Sequence, residues 1–359
     1  MNFDLSPDQQ MFEEAATRFA AAVDVPARHK LRGAAEGYDR SRWQEAAALG
    51  LLALPVAEEG GGLGGSLVDL VVVAQALGRA NAADPWLEDA ALPLPLLAGA
   101  GGEVAEQALT GEVIAALASA EPDGRYRLEP RSTQLERQGD RLVLTGSKTF
   151  VLGGALADVL LVTARLEGDL RLVVVRADAI GVERRPYRII DGSMAAEITF
   201  GGVTLPADAL LKTTGEQFEA AIATTRLLAA AEMTGLASRL LDDTLCYVRE
   251  REQFGVPIGS FQAVQHRLVD CYAMLEQCRS MVWSAALAER EDDWQRQVAG
   301  AKAFVAARAE HIGREAIQLH GGMGVTDELA VGHAVKRVVL LARLFGDVDS
   351  DLQTYAMAA

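Results

Sequence analysis

The chain has 359 residues, half of them hydrophobic, with a net charge of -16, five histidines and three cysteines. That length allows about two or three structural units and a large core, while no uninterrupted apolar run reaches the roughly 18 residues of a membrane span. The acidity argues against nucleic acid or an anionic membrane as the main partner, although a few local arginines can still govern a small anionic site.

The first residues, Met1 to Pro7, show neither a basic region nor a cleavable apolar segment, so a cytoplasmic protein is expected. Cys246, Cys271 and Cys278 fall in helix-like patterns without metal-ligand spacing and read as buried, reduced thiols. Residues 1–112 are Ala- and Leu-rich with helical periodicity. Ser6 before Pro7 starts a helix through Phe12, Ala16, Phe19 and Ala20. The run Gly60-Gly61-Gly62-Leu63-Gly64-Gly65 breaks two helices, and Ser66 can cap the next, from Leu67 to Leu77. No strand precedes these glycines, so they read as a turn rather than a phosphate loop.

Over 113–211 the period changes to that of strands, at Leu142-Val143-Leu144, Val159 to Val162 and Leu170 to Val174, with turn signals at Gln138-Gly139-Asp140 and Glu167-Gly168-Asp169. Ile198 to Phe200 and Val203 to Leu205 flank Gly201-Gly202, a hairpin or a bulge. Over 212–359 the helical pattern returns in four long elements, about 215–251, 261–291, 293–319 and 332–344. The predicted fold class is therefore α+β: an N-terminal helical domain, a central antiparallel β domain and a C-terminal four-helix bundle.

Two segments carry the functional signal. One is Arg251-Glu252-Gln253-Phe254-Gly255-Val256-Pro257-Ile258-Gly259-Ser260-Phe261-Gln262, and the other is Gln318-Leu319-His320-Gly321-Gly322-Met323-Gly324. Neither holds a nucleophile or a metal cluster, so their chemistry is grip. Glycines let a backbone approach a phosphate, arginine offers a forked donor, and glutamine offers amide contacts. His29, His311 and His333 lack ligand-like spacing with carboxylates or cysteines, which disfavours metal. His266 reads as a satisfied structural histidine.

These segments, together with Leu49 to Pro55 and Asp191 to Leu211 in the same order, resemble the acyl-CoA dehydrogenase family over nearly the whole chain. The resemblance implies FAD held across a subunit interface in a homo- or hetero-oligomer, with an acyl-CoA thioester as substrate and an electron-transfer flavoprotein as acceptor. By it, Arg251, Phe254, Gln262, Gln318, Gly321 and Gly322 are the cofactor-binding set that grips the ADP half of the flavin, and His320, within the glycine motif, lines the cofactor channel.

Family chemistry removes an α-proton from the acyl thioester while the β-hydride passes to the flavin, and it needs a carboxylate base. The two positions where the family places its glutamate fall here on Phe345 and on Thr225, and neither side chain can serve. The flavin-facing segment has also departed from the pattern. Ala120-Glu121-Pro122-Asp123-Gly124 lacks a hydroxyl, and in Gly146 to Gly154 Phe150 keeps an aromatic surface while Leu152 replaces a donor.

Two explanations stay open. The chain is the subunit lacking the base in a heteromeric acyl-CoA dehydrogenase, whose sister subunit supplies it, as in enzymes for steroid side-chain or other bulky thioesters. Alternatively, it is an active homomer in which Asp347, one methylene shorter than glutamate, is the base; a misplacement on the order of 1 Å can cost about a hundredfold in rate. Asp347, Asp349 and Asp351 equally read as a solvated acidic helix start. A structural subunit without flavin is a further alternative, against which the Arg251 motif argues.

Overall fold

The computed structural model describes residues 4–20, 24–33, 39–99 and 101–357. Its helices are α1 (Pro7–Ala20), α2 (Val25–Gly33), α3 (Arg40–Ala48), α4 (Leu67–Arg79), α5 (Pro93–Ala98), α6 (Glu103–Leu109), α7 (Gly215–Glu250), α8 (Gln262–Leu287), α9 (Trp294–His320), α10 (Ala330–Leu341) and α11 (Val348–Met357). The strands are β1 (Ala115–Ala118), β2 (Gln134–Gln138), β3 (Arg141–Leu152), β4 (Val159–Leu166), β5 (Asp169–Arg176), β6 (Val182–Arg188), β7 (Met194–Pro206) and a short pair, β8 (Glu252–Gln253) and β9 (Val256–Pro257). Among the described residues no helix is long and apolar enough to cross a membrane.

Packing divides the chain into two compact units. One comprises the chain up to His29, Leu67–Ala83 and the chain from Arg226 onward; the other comprises Lys30–Ser66 and Asp84–Thr225.

In the first unit, α1 begins as its sequence dictates. Ser6 Oγ accepts the Gln9 N–H at 3.2 Å, and Gln9 Oε1 accepts the Ser6 N–H at 3.0 Å, a reciprocal cap that satisfies two orphan donors. Ala16, Phe19 and Ala20 are buried and Phe12 half-buried, so the apolar stripe lies on one face. Helices α4 and α7 approach closely at Gly78 and Gly235, where a methyl group would lie 2.2 Å from the carbonyl oxygens of Glu232 and Gln75 respectively. A glycine inside a helix costs about 1 kcal/mol relative to alanine, and here backbone-to-backbone approach is the return. Cys271 and Cys278 are buried as expected, but Cys246 is exposed because its place on α7 lies off the apolar stripe.

The second unit is a seven-stranded sheet in the order β1-β4-β2-β3-β7-β6, with β5 paired to β4. Its core is the face carrying Leu142, Leu144, Leu160, Val162, Ile198 and Phe200. The antiparallel expectation needs correction at one edge: β1 and β2 pair with β4 in parallel. Long stretches of chain separate these partners, and only such connections permit parallel pairing.

Gly201-Gly202 forms a bulge within one continuous strand. Gly202, at φ +73°, is the extra residue between the Val203–Leu144 and Gly201–Thr145 pairs. The glycine run at 60–65 is a folded turn. The N–H groups of Gly62, Gly64 and Gly65 bond to the carbonyls of Ala57, Val56 and Leu54, and so do not form a phosphate cradle.

Candidate functional site

In the first unit, α7 ends at Glu250 and the chain turns through a two-residue hairpin between β8 and β9. Arg251 closes its base: its N–H donates to Tyr247 O and its carbonyl accepts the Ile258 N–H, both at 2.8 Å, while its side chain stays exposed. At the tip, Phe254 and Gly255 both have positive φ, 55° and 79°. A left-handed conformation costs a non-glycine residue on the order of 1–2 kcal/mol, yet Phe254 adopts it with its ring 93% exposed. The hairpin thus holds a solvated aromatic ring at its tip in a backbone conformation that the surrounding fold must support.

The second segment is brought alongside the first. The Tyr247 ring stacks on His320 with centroids 4.4 Å apart, and its hydroxyl donates to His320 O at 3.4 Å. One turn before Arg251 is thereby joined to the end of α9. His320 does not line an open channel, because its ring is buried and Nδ1 lies 2.8 Å from Ala316 O. His266 is exposed rather than satisfied inside the fold.

Gln262 opens α8 and Gln318 stands near the end of α9, both exposed. Gly321 takes φ +62° just past α9, and a Cβ on Gly321 or Gly322 would meet nothing within 4 Å. This set combines a forked cation, amide groups, open backbone and a solvated ring. It fits the pyrophosphate and adenine of a dinucleotide cofactor.

The loop after α10 is the second feature. Phe345 has φ +55°, and Arg226 holds its carbonyl through Nε at 2.9 Å and Nη2 at 2.6 Å. Lys302, wholly buried on α9, donates to Gly346 O at 2.6 Å and to Asp351 Oδ2 at 2.9 Å. Asp351 is also wholly buried, which corrects the reading of a solvated acidic helix start: α11 turns this carboxylate inward onto Lys302.

Burial pushes Asp351 above the usual carboxylate range and Lys302 below the usual amine range, against their mutual attraction. The pair therefore shapes the loop more than it stabilises the fold. Asp347 caps α11: its Oδ1 accepts the Ser350 N–H at 2.9 Å, and Ser350 Oγ accepts the Asp347 N–H at 2.8 Å. Thr225 is buried with its hydroxyl donated to Ala221 O, 2.8 Å away within α7.

The third feature lies in the second unit. Glu121 accepts the N–H groups of Arg131, Ser132 and Thr133 at 2.8–2.9 Å, and Lys148 Nζ at 3.1 Å. Burial opposes its ionisation, but the N–H donors of Ser132 and Arg131, then Thr133 and the Lys148 charge, outweigh it and hold the carboxyl far below its ordinary range. Burial draws Lys148 down to about 8 despite Glu121. This pair is an internal strut that ties β3 to the 119–133 segment. Beyond it, Phe150 stands 42% exposed at φ +50°.

Neither Lys302 nor Asp351 was evident as a partner in the sequence. The available signal was a lysine amid Ala299, Ala301, Ala303 and Val305, a charge on an apolar helical face.

Fold and site together define a flavoprotein oxidoreductase with helical segments on either side of a β domain in the chain. Three family models match in order: the acyl-CoA dehydrogenase N-terminal domain over residues 6–117, its middle domain over 116–203 and its C-terminal domain over 215–358. The chain is 29% identical to the probable acyl-CoA dehydrogenase YngJ of Bacillus subtilis (strain 168), covering 100% of this chain and 99% of that one. The ChsE4–ChsE5 complex from Mycobacterium tuberculosis superposes with a TM-score of 0.90 at 27% identity, over 99% of this chain and 98% of the matched one. PigA with FAD and proline superposes with a TM-score of 0.91 at 25% identity, over 99% and 98%. The protein belongs to the acyl-CoA dehydrogenase family and is an FAD-binding oxidoreductase.

Proposed function

We propose that this chain is the subunit lacking the base in a heteromeric, cytoplasmic acyl-CoA dehydrogenase. Segments 1–112, 113–211 and 212–359 would serve as its domains. The observation that carries the reading is the state of the loop after α10. It presents Phe345 under the grip of Arg226, and its neighbouring carboxylates are engaged, Asp347 as the cap of α11 and Asp351 with Lys302. Removal of an α-proton needs a carboxylate free to receive it within hydrogen-bond reach, which a sister subunit would supply.

Bound FAD supplies the two-electron acceptor for an acyl-CoA thioester, and an electron-transfer flavoprotein would reoxidise it. This chain's part is grip. Arg251 pairs the pyrophosphate charge, Phe254 covers an aromatic face, Gln262 and Gln318 contribute amide hydrogen bonds, and Gly321 and Gly322 admit close approach. Association with a partner would also cover Phe254 and relieve the exposure of its ring. Similarity to the ChsE4–ChsE5 complex supports a two-subunit arrangement, and similarity to PigA with FAD supports the cofactor.

The test is a flavin absorbance spectrum of the chain purified alone, followed anaerobically during addition of an acyl-CoA panel. A colourless protein, or a yellow one that never bleaches, is expected. Bleaching would overturn the split-site reading and make Asp347 the leading base of an active homomer.

A further inference from the structure

The bulge that displays Phe150 is held by a carboxylate that the reaction does not otherwise use. On β3 and β7 the register runs Lys148↔Ile198 and then Val151↔Ala196, so Thr149 and Phe150 together face the single residue Glu197. Leu142, Leu144 and Lys148 point inward on one parity, and Val151 points inward on the other. Without the extra residue, strict alternation would send Phe150 into the interior. Its φ of +50° and its exposure show the ring turned out instead.

Three strands supply the groups that meet there. Glu197 Oε1 accepts the Thr149 hydroxyl at 2.8 Å and the Tyr187 hydroxyl at 3.0 Å. Tyr187 stands on β6 opposite Ala195, two residues from Glu197 along β7. Thr149 is anchored on its other side, its own N–H donating to Ala120 O at 2.9 Å. Carboxylate and the two hydroxyls thus form one hydrogen-bonded group beside the bulge, with Thr149 as its link to Phe150.

We infer that Glu197, acting through Tyr187 and Thr149, is a positioning residue that fixes the left-handed turn at Phe150 and so presents this ring to the flavin. The flavin-facing part rests on the function proposed above; the positioning part stands on the unit's own geometry. Burial and then the Glu197 bond push the Tyr187 hydroxyl up to about 12, so it remains a donor throughout the working range. A glutamine at 197 keeps an acceptor oxygen for both hydroxyls, whereas alanine removes it.

Glu197→Ala, Glu197→Gln and Phe150→Ala separate the possibilities. In the protein without flavin, Glu197→Ala should speed amide hydrogen exchange at 149–151 by about tenfold, the loss of roughly one hydrogen bond, with the rest of the sheet unchanged. Glu197→Gln should restore protection. In the oligomer that carries FAD, Phe150→Ala and Glu197→Ala should shift the visible flavin spectrum in the same sense, and Glu197→Gln should not.

Unchanged exchange in Glu197→Ala overturns the positioning role. A flavin spectrum insensitive to Phe150→Ala overturns the ring-facing reading instead. Altered exchange across the whole sheet in Glu197→Ala would reduce Glu197 to a general stabiliser and also overturn the proposal.

Discussion

Replacing Lys302 by methionine should destabilise the protein far more than a surface lysine would. The side chain is wholly buried and donates to Asp351 Oδ2 and to Gly346 O. Methionine fills much of the volume but leaves the Asp351 carboxylate uncompensated. That carboxylate is wholly buried, its Oδ1 has no hydrogen-bond partner among the described residues, and its other near cation, Arg226 Nε, is 4.0 Å away. Removing one partner of such a pair costs about 3–5 kcal/mol, a large part of a typical folding free energy of about 5–15 kcal/mol.

Lys302→Met/Asp351→Leu should recover part of that loss, because the buried carboxylate is gone. The Gly346 and Ala342 carbonyls still lose their donor, at about 1–3 kcal/mol each, and Arg226 loses its nearby carboxylate but keeps its bonds to Phe345 O. Urea unfolding followed by far-ultraviolet circular dichroism measures both variants against the parent. A single variant within about 1 kcal/mol of the parent, or a double variant less stable than the single one, would refute the assignment of Lys302 and Asp351 as a mutually dependent pair.

Arg251→Ala should abolish flavin retention in whatever oligomer forms, and an unchanged FAD-to-protein ratio would exclude the clamp. Asp347→Asn separates cap from base, because asparagine caps a helix about as well as aspartate. Stability should stay within about 0.5 kcal/mol of the parent, and any dehydrogenase rate of the natural oligomer should be unchanged; a collapse of that rate at constant flavin content would identify Asp347 as the base. Glu121, ionised below its ordinary range in the fold, contributes stability that is complete above its unfolded value of 4.5 and is lost as pH falls from there. Glu121→Gln should flatten that acid limb in thermal melts taken between pH 5 and pH 3, and an identical limb would remove Glu121 from the account.

Local patterns along the chain specify the elements and the family. Ser6 and Gln9 cap α1 because a serine before proline, with glutamine three residues on, can satisfy local donors without tertiary help. The long helices α7 to α10 follow from apolar periodicity, and the proposed flavin clamp was legible because Arg251 to Gln262 and Gln318 to Gly324 are contiguous in the chain. What tertiary structure decided lies where partners are distant in sequence.

Lys302 meets the 342–351 segment only through packing of α9 against the chain's end, so no local pattern paired Lys302 with Asp351 or Arg226 with Phe345. The direction of Phe150 depends on a bulge whose register is set by β7, some 47 residues later in the chain. A one-residue change in register reverses a side chain's face, and only the folded sheet selects that register. The cap that Asp347 makes with Ser350 is local, three residues apart like that of Ser6 and Gln9, and only the inward turn of Asp351 onto Lys302 required the fold. Local chemistry thus names the groups, and the fold determines which of them remain available to react.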